Sequence, residues 1–178
     1  MGAPLLLFTC IFYLSYLYTE QNGTILGANS SGIAYAALPP SDITFATVIN
    51  EEASQDEIVR QFLEKHNSPL EPYSADLIAA AQRYDLDFRL LPAIAMQESN
   101  VCKKIPEGSN NCWGWGIYGG KVTKFNNYPE AIETISMTLA TKYRDRGLVT
   151  PHEVGRIYNP SNTNNWAESV THFMQEME

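Results

Sequence analysis

One apolar stretch, residues 90–99, reads Leu-Leu-Pro-Ala-Ile-Ala-Met-Gln-Glu-Ser. It predicts a buried helix from about Arg89 to Ser99, in which Pro92 is tolerated because the first helical turn has no partner for the missing amide hydrogen. Glu98 comes four positions after Ile94, so its carboxyl group is expected close to the apolar face and beside the polar segment that follows. Partial loss of hydration raises the pKa of a carboxyl group, as a general acid requires. A solvated glutamate at a helix end is the alternative interpretation.

Helical patterns precede this stretch. Ser54-Gln55-Asp56-Glu57 fits a capping box, and the apolar residues after it recur at i, i+4, which predicts a helix over about 55–65. Ser74 is expected to cap a second helix, with Asp76 in its favourable first turn.

Further helical patterns follow the stretch. Pro129 is expected to open a helix that ends at Gly147, and Thr150-Pro151-His152-Glu153 is a second capping box that begins a short helix to about Tyr158. A last helix is expected from about Asn165 to Met177, with an apolar stripe on one side formed by Trp166, Val170, Phe173, Met174 and Met177. The domain is therefore predicted to be mostly α.

Residues 100–128 lack a helical period and are rich in Gly, Asn, Trp and Lys. We expect a long loop there, with short strands at 116–118 and 122–125; loops of this length in a compact domain usually carry function. Cys102 and Cys112 lie ten positions apart, a spacing that suits a disulfide in an oxidising compartment. A metal site and unpaired thiols are the alternatives, and two Cys without neighbouring His form a poor zinc site.

Several short segments together resemble the lysozyme-like superfamily. Residues 93–100, Ala-Ile-Ala-Met-Gln-Glu-Ser-Asn, resemble the Glu-Ser motif of soluble lytic transglycosylases. Residues 110–117, Asn-Asn-Cys-Trp-Gly-Trp-Gly-Ile, are similar to the loop after the glutamate in the glucosaminidase branch, and the likeness continues through 125–128. Residues 157–160, Ile-Tyr-Asn-Pro, are similar to a late Tyr-Asn motif of the transglycosylases. The likeness covers about 75–173.

This resemblance implies a mainly α, lysozyme-like helical domain with a long active-site loop and at most a small β-hairpin. It makes Glu98 the acid that protonates the glycosidic oxygen and Ser99 a nearby hydrogen-bonding residue, while Tyr158 and Asn159 hold the substrate or position the acid. The sequence departs from the family where Gly-Ile-Tyr-Gly replaces Gly-Leu-Met-Gln and where Pro160 follows the Tyr-Asn pair. These departures leave the branch open between lytic transglycosylase, N-acetylglucosaminidase and muramidase.

Aromatic residues in the loop are candidates for sugar binding. Trp113 and Trp115 alternate with glycines, and Tyr118 lies three positions beyond. Flat rings suit the faces of pyranose sugars, but they also bury large areas. We expect one tryptophan to stack on sugar and the other to pack in the core. Four lysines also lie in this loop and favour an anionic polymer such as peptidoglycan, although solubilisation of the loop explains them nearly as well: Lys103, Lys104, Lys121 and Lys124.

A glycosidase normally uses two carboxyl groups. Glu107, Glu130, Asp145 and Glu153 are candidates for the second, although each also fits a surface or capping position. If none reaches the site, the substrate's own hydroxyl or acetamido group can take the second role, as in lytic transglycosylases.

The remaining composition defines the class of protein and its location. The 178 residues carry 12 Lys+Arg against 20 Asp+Glu, a net charge of −8, which argues against nucleic-acid binding. Residues 1–19 contain no charged side chain, and the apolar run at 3–18 is typical of a signal peptide or membrane anchor; a buried amino-terminal helix is the alternative. Residues 20–53 read as a flexible linker. Residues 54–178 are then the catalytic domain.

The sequence thus predicts an exported, monomeric enzyme that cleaves β-1,4 bonds in peptidoglycan glycan strands outside the cytoplasm. It predicts no cofactor and no metal site, because His66, His152 and His172 share no ligand spacing. A non-catalytic glycan-binding module and a structural wall-anchoring protein remain the alternatives.

Overall fold

The computed structural model describes the backbone of residues 40–178 and the side chains of residues 51 and 53–178. This part of the chain forms six α-helices and two short 3₁₀ helices, Glu71–Tyr73 and Arg144–Arg146. The α-helices are α1 (Pro40–Lys65), α2 (Ser74–Arg83), α3 (Leu90–Ser99), α4 (Tyr128–Lys142), α5 (Pro151–Tyr158) and α6 (Thr163–Gln175). No β-strand forms within residues 40–178, which confirms the prediction of a mainly α fold.

Helix α3 forms the centre of the core, and its range confirms the predicted helix. Its residues from Leu90 to Ala95 are all buried, and it packs against α6. Each large apolar side chain buried in this way contributes about 1.5–3 kcal/mol. Asn100 then ends the helix in the left-handed conformation, at φ 55°. The end of α3, which carries Glu98, is therefore held in a fixed place.

The second predicted capping box is confirmed in full. The Thr150 side chain accepts a hydrogen bond from the amide of Glu153, and the Glu153 carboxylate accepts one from the amide of Thr150. Pro151 stands at the first helical position, where no amide hydrogen is needed. Helix α5 therefore begins where its sequence predicts.

The first helix begins much earlier than predicted. Residues 40–53 are helical, so the expectation that the linker reaches residue 53 is wrong for this segment, and Ser54 is not a helix cap. Pro40 suits a first helical position, and no Gly or Pro follows it before Lys65. Inside a continuous helix the amide groups already bond to carbonyls four residues earlier, so the capping-box pattern at Ser54 has no free amide to cap.

Four other helix ends differ from the prediction. Ser74 is the first residue of α2 and makes no side-chain cap, and α4 ends at Lys142 before Gly147 is reached. Gly147 ends the 3₁₀ helix that follows, with φ 74°. Helix α6 runs two residues earlier than predicted at both ends, a shift within the usual variation of helix boundaries.

The predicted strands at 116–118 and 122–125 do not form. The loop contains an isolated antiparallel bridge between Tyr118 and Lys121, closed by Gly119 and Gly120 at positive φ. The carbonyl of Thr123 accepts a hydrogen bond from the Asn111 side chain, which takes the place of a strand partner.

The predicted signal peptide or membrane anchor (1–19) and the first part of the predicted linker (20–39) lie outside the described residues. Among the helices of residues 40–178, none combines the length and the apolar character needed to cross a bilayer.

Candidate active site

The carboxyl group of Glu98 lies between helix α6 and the long loop. The indole Nε1–H of Trp166 donates a hydrogen bond to Oε1 of Glu98 at 2.7 Å. The other oxygen, Oε2, lies beside the backbone of Gly114, where a Cβ would come within 3.1 Å of it. Oε1 is thus hydrogen-bonded to Trp166, and there is room for Oε2 because Gly114 has no side chain.

The surroundings of the Glu98 carboxyl group shift its pKa. The residue is exposed overall, but protein atoms remove part of the hydration of its carboxyl group. This desolvation raises the pKa of Glu98, and the hydrogen bond from Trp166 opposes the rise without cancelling it. Glu98 therefore keeps its proton to a higher pH than a free glutamate does.

Trp166 is held rigidly in the core. Its side chain is buried, and its ring stacks on that of Tyr158 with the centroids 5.2 Å apart. A Cβ on Gly155 of α5 would lie 2.9 Å from the Trp166 ring, so only glycine leaves room there. The donor to Glu98 is consequently fixed by packing on two sides.

Tyr158 links this stack back to the loop. Its hydroxyl donates a hydrogen bond to the backbone carbonyl of Trp113, the residue before Gly114. Burial raises the pKa of Tyr158 well above its ordinary value, and the negative charge of Glu98 raises it further. The hydroxyl therefore stays neutral and remains a donor, and a closed chain of contacts runs from Glu98 through Trp166, Tyr158 and the loop back to Glu98.

The loop aromatics occupy three different environments. Trp113 is fully buried and donates through Nε1 to the carbonyl of Leu91 at 3.0 Å, so its predicted role in sugar binding is wrong and it is the tryptophan that packs. Trp115 is half-buried, with the ammonium of Lys142 5.0 Å from its ring centroid. Tyr118 is 69% exposed at the tip of the loop. Of the three rings, that of Tyr118 is the most accessible to a ligand.

Ser99 has a structural position rather than a substrate contact. It is buried, and its hydroxyl lies 2.7 Å from the carbonyl oxygen of Cys112 and accepts a hydrogen bond from the amide of Cys102. Ser99 is thus a hydrogen-bonding residue near Glu98, as the resemblance implies, but its hydroxyl is used inside the protein and is not placed to bind substrate. Asn159, directly after α5, is half-buried and accepts a hydrogen bond from the hydroxyl of Ser161.

Cys102 and Cys112 form a disulfide, which confirms the predicted pairing. Both residues are buried beneath the loop. A structural disulfide indicates that the domain folds in an oxidising compartment.

Asn111 shapes the loop in a way that the sequence did not reveal. Its side-chain amide donates to the carbonyls of Trp115 and Thr123, and its side-chain oxygen accepts from the amide of Trp115. Such local side-chain bonds replace secondary structure in a segment that has none.

None of the four candidates for a second carboxyl group is bonded to Glu98 within the described residues. Glu130 accepts from the amide of Asn126 before α4, Glu153 belongs to the capping box, and Asp145 pairs with Arg144 at 2.8 Å. Glu107 is exposed. Within the described residues, no carboxylate contributes to the shift of the Glu98 pKa, so Glu98 is the carboxyl group on which the site's chemistry can be argued.

Trp166 and Gly155 are site residues that the sequence reasoning missed. Trp166 was predicted only as part of the apolar stripe of the last helix. A buried indole N–H needs an acceptor, and a glycine inside a helix indicates close packing; these two signals point to both residues. The partner of Trp166, however, lies 68 positions away, and no local pattern identifies it.

No protein-family model matches the chain, and no curated protein is significantly similar to it in sequence. Among the side chains that the structure describes, those of residues 51 and 53–178, no three of His, Cys, Asp or Glu converge in a way that suits a metal ion. The functional conclusion therefore depends on the geometry around Glu98.

Proposed function

We propose that residues 40–178 form a lysozyme-like enzyme domain that cleaves β-1,4 glycosidic bonds in peptidoglycan, with Glu98 as the general acid. The observation that carries this proposal is the carboxyl group of Glu98, which is fixed between Trp166 and Gly114 and whose pKa is raised by desolvation. A carboxyl group whose pKa is raised and that still faces the surface is suited to protonate a glycosidic oxygen.

A single carboxyl group limits the mechanism. Glu98 gives its proton to the bridging oxygen, and the bond from that oxygen to the anomeric carbon breaks. A hydroxyl or acetamido oxygen of the substrate then bonds to the anomeric carbon, and when it is a hydroxyl the Glu98 carboxylate takes up its proton. Closure by a hydroxyl gives an anhydro-sugar. After closure by the acetamido oxygen, water attacks the anomeric carbon, the bond to the acetamido oxygen breaks, the Glu98 carboxylate takes up a proton of the water, and a reducing end results.

The loop favours an anionic substrate that lies outside the cytoplasm. Its four lysines (Lys103, Lys104, Lys121 and Lys124) are all exposed, although the chain as a whole carries a net charge of −8. The peptide carboxylates of peptidoglycan suit this local positive charge. The disulfide is consistent with a secreted or membrane-anchored protein that faces the cell wall.

Digestion of purified peptidoglycan tests the proposal. The wild-type protein should release soluble fragments, and Glu98→Gln, which keeps the shape but cannot donate the acid proton, should lose this activity by at least about a hundredfold. Glu107→Gln, on an exposed part of the loop, is the matched control and should retain it. Mass spectrometry of the products separates the branches: anhydro ends identify a transglycosylase and reducing ends a hydrolase.

One observation favours a second candidate, a non-catalytic glycan-binding module. The described residues bond no second carboxyl group to Glu98, and a module that had lost turnover would show the same arrangement. If the wild type and Glu98→Gln both sediment with peptidoglycan while neither releases fragments, the binding module is correct and the enzyme is excluded.

A further inference from the structure

We propose that Trp166 is a positioning residue for Glu98: its indole N–H keeps Oε1 as a hydrogen-bond acceptor and so confines the transferable proton to Oε2, beside Gly114. This inference rests on the proposed role of Glu98 as the general acid. It adds which oxygen delivers the proton and which residue determines that choice.

The chemistry of the two groups gives the assignment. An indole N–H can only donate, whereas a protonated carboxyl group has one hydroxyl oxygen and one carbonyl oxygen. The contact from Nε1 of Trp166 to Oε1 of Glu98 is 2.7 Å, a short hydrogen bond. Because a carbonyl oxygen accepts more strongly than a hydroxyl oxygen does, this bond favours the form of the acid with its proton on Oε2.

The packing of Trp166 keeps this donor in place. The ring is buried, lies against Tyr158 with 5.2 Å between centroids, and fills the space that Gly155 leaves open. A donor fixed in this way needs no rearrangement when the carboxyl group loses its proton and becomes an anion. Trp166 thus holds the orientation of Glu98 in both protonation states.

Gly114 keeps the second oxygen accessible. A side chain at this position would begin 3.1 Å from Oε2, the oxygen that does not accept the Trp166 bond. Gly114 is itself exposed, so the surface beside Oε2 is accessible to a substrate oxygen. Oε2, the oxygen that carries the proton, is therefore also the oxygen that a substrate can approach.

Tyr158, the titratable residue that interacts with Glu98, does not replace Trp166 as its hydrogen-bond donor. Tyr158, at the end of α5, interacts electrostatically with Glu98, but its hydroxyl donates to the carbonyl of Trp113. Among the described residues, no Lys, Arg, His, Asp or Glu shifts the pKa of Glu98. Changes in the Glu98 titration on substitution of Trp166 are thus attributable to the lost hydrogen bond and to the altered hydration around it.

Nuclear magnetic resonance of the carboxyl carbon of Glu98 tests the inference without any activity measurement. The full chain is labelled with ¹³C-glutamate, and Glu98→Gln identifies the signal. In Trp166→Phe the titration midpoint of Glu98 should move to higher pH, because the bond that favours the anion is gone. Phe62→Leu is the control: it also reduces a buried aromatic side chain, here in α1, and should leave the midpoint in place. An unchanged midpoint in Trp166→Phe overturns the proposal.

A second measurement uses the unaltered protein, in case Trp166→Phe does not fold. The ¹H and ¹⁵N signals of the Trp166 indole should titrate with the same midpoint as the Glu98 carboxyl carbon, and this titration should vanish in Glu98→Gln. An indole signal that is insensitive to the protonation of Glu98 contradicts the hydrogen bond and with it the inference.

Kinetic measurements relate the role of Trp166 to the proposed function. They also distinguish failure of the proposed function from failure of the role of Trp166. Glu98 must be protonated to act, so activity falls as pH rises through its pKa, and Trp166→Phe should move this fall to higher pH while lowering kcat about tenfold. If peptidoglycan is never cleaved, the proposed function fails while the resonance data still decide the hydrogen bond. If cleavage occurs and only the shift is missing, the role of Trp166 alone fails.

Discussion

The hydroxyl of Tyr158 donates a hydrogen bond to the backbone carbonyl of Trp113. This bond joins the end of α5 to the loop segment that passes beside Glu98. Because the Tyr158 ring also stacks on Trp166, a single side chain supports both groups that contact the carboxyl group. The acid is therefore supported by residues from three separate parts of the chain.

Removal of the Tyr158 hydroxyl should weaken this support. In Tyr158→Phe the ring stack remains, but the Trp113 carbonyl loses its partner, and we expect the free energy of unfolding to fall by about 1–2 kcal/mol. Peptidoglycan cleavage should fall about tenfold, because the loop no longer holds its position beside Glu98. Urea unfolding and fragment release measure the two effects. Tyr118→Phe, on an exposed tyrosine, is the control, and equal losses in both variants would contradict the structural role of Tyr158.

Gly114 should be required for activity because it leaves space beside Oε2 of Glu98. This effect can be separated from backbone strain. Gly114→Ala places a Cβ 3.1 Å from Oε2 of Glu98, so we expect a large loss of cleavage. Gly108 has nearly the same φ, 63° against 62°, and nothing lies within 4 Å of its Cβ position. Gly108→Ala therefore carries the same strain, about 1 kcal/mol, without the contact.

Thermal unfolding and cleavage assays distinguish these two glycine variants. Both should lose similar stability, and only Gly114→Ala should lose most of its activity. If the two variants keep equal activity, the space beside Oε2 has no functional role.

The features that could be predicted from the sequence are those that depend on residues close together in the chain. Thr150 and Glu153 satisfy each other within one helical turn, so their pattern alone was sufficient to predict the start of α5. The disulfide between Cys102 and Cys112 was likewise predictable from spacing. Ser54 carries the same capping pattern but lies inside α1, because a pattern of residue types does not show whether the helix has already begun upstream.

The candidate site itself was only half predictable. The apolar sequence of α3 marked Glu98, but its partner Trp166 is 68 positions away and appeared only as one member of an apolar stripe. The sequence likewise left open which tryptophan packs, a choice that depends on the distant carbonyl of Leu91 for Trp113 and on Lys142 for Trp115. Contacts between separate helices depend on tertiary packing, which local patterns do not encode.

The raised pKa of Glu98 predicts a pH dependence of stability. Between the ordinary glutamate pKa, about 4.3, and the higher value in the folded state, the folded protein binds more protons than the unfolded chain. Stability from this group is thus fully present below the lower value and is lost as pH rises through the folded value. Glu98→Gln has no titrating group at this position.

Urea unfolding of both proteins at a series of pH values tests this linkage. The free energy of unfolding of the wild type, relative to Glu98→Gln, should decrease as pH rises through the window. Glu107→Gln should show no such relative change. A difference that is constant with pH, or that increases, would contradict the raised pKa.

The disulfide should stabilise the loop beside the acid. Replacement of Cys102 and Cys112 by Ser should lower the free energy of unfolding by about 3 kcal/mol, because the unfolded chain gains the freedom of an open loop of this length. A reducing agent should have the same effect on the wild type and none on the double variant, which serves as the control. Thermal unfolding with and without reductant measures both. A wild type that is insensitive to full reduction would contradict this role.

Tyr118 should contribute to substrate binding without contributing to the fold. Its side chain is 69% exposed and has no part in the core, whereas Trp115 is half-buried under Lys142. An aromatic ring placed against a ligand is worth about 0.5–1.5 kcal/mol, so Tyr118→Ala should weaken binding to peptidoglycan about three- to tenfold. Its thermal unfolding should match that of the wild type.

Sedimentation with insoluble peptidoglycan, performed in the Glu98→Gln background to prevent cleavage, measures the effect of Tyr118→Ala. Val149→Ala is the matched control, because Val149 is 60% exposed and lies outside the loop. Equal binding by both variants would show that the tip of the loop, which carries Tyr118, is not part of the binding surface. Binding would then depend on Trp115, whose ring has the ammonium of Lys142 over one face. Lys142→Ala should strengthen binding in that case and leave it unchanged or weaker if Tyr118 is the contact.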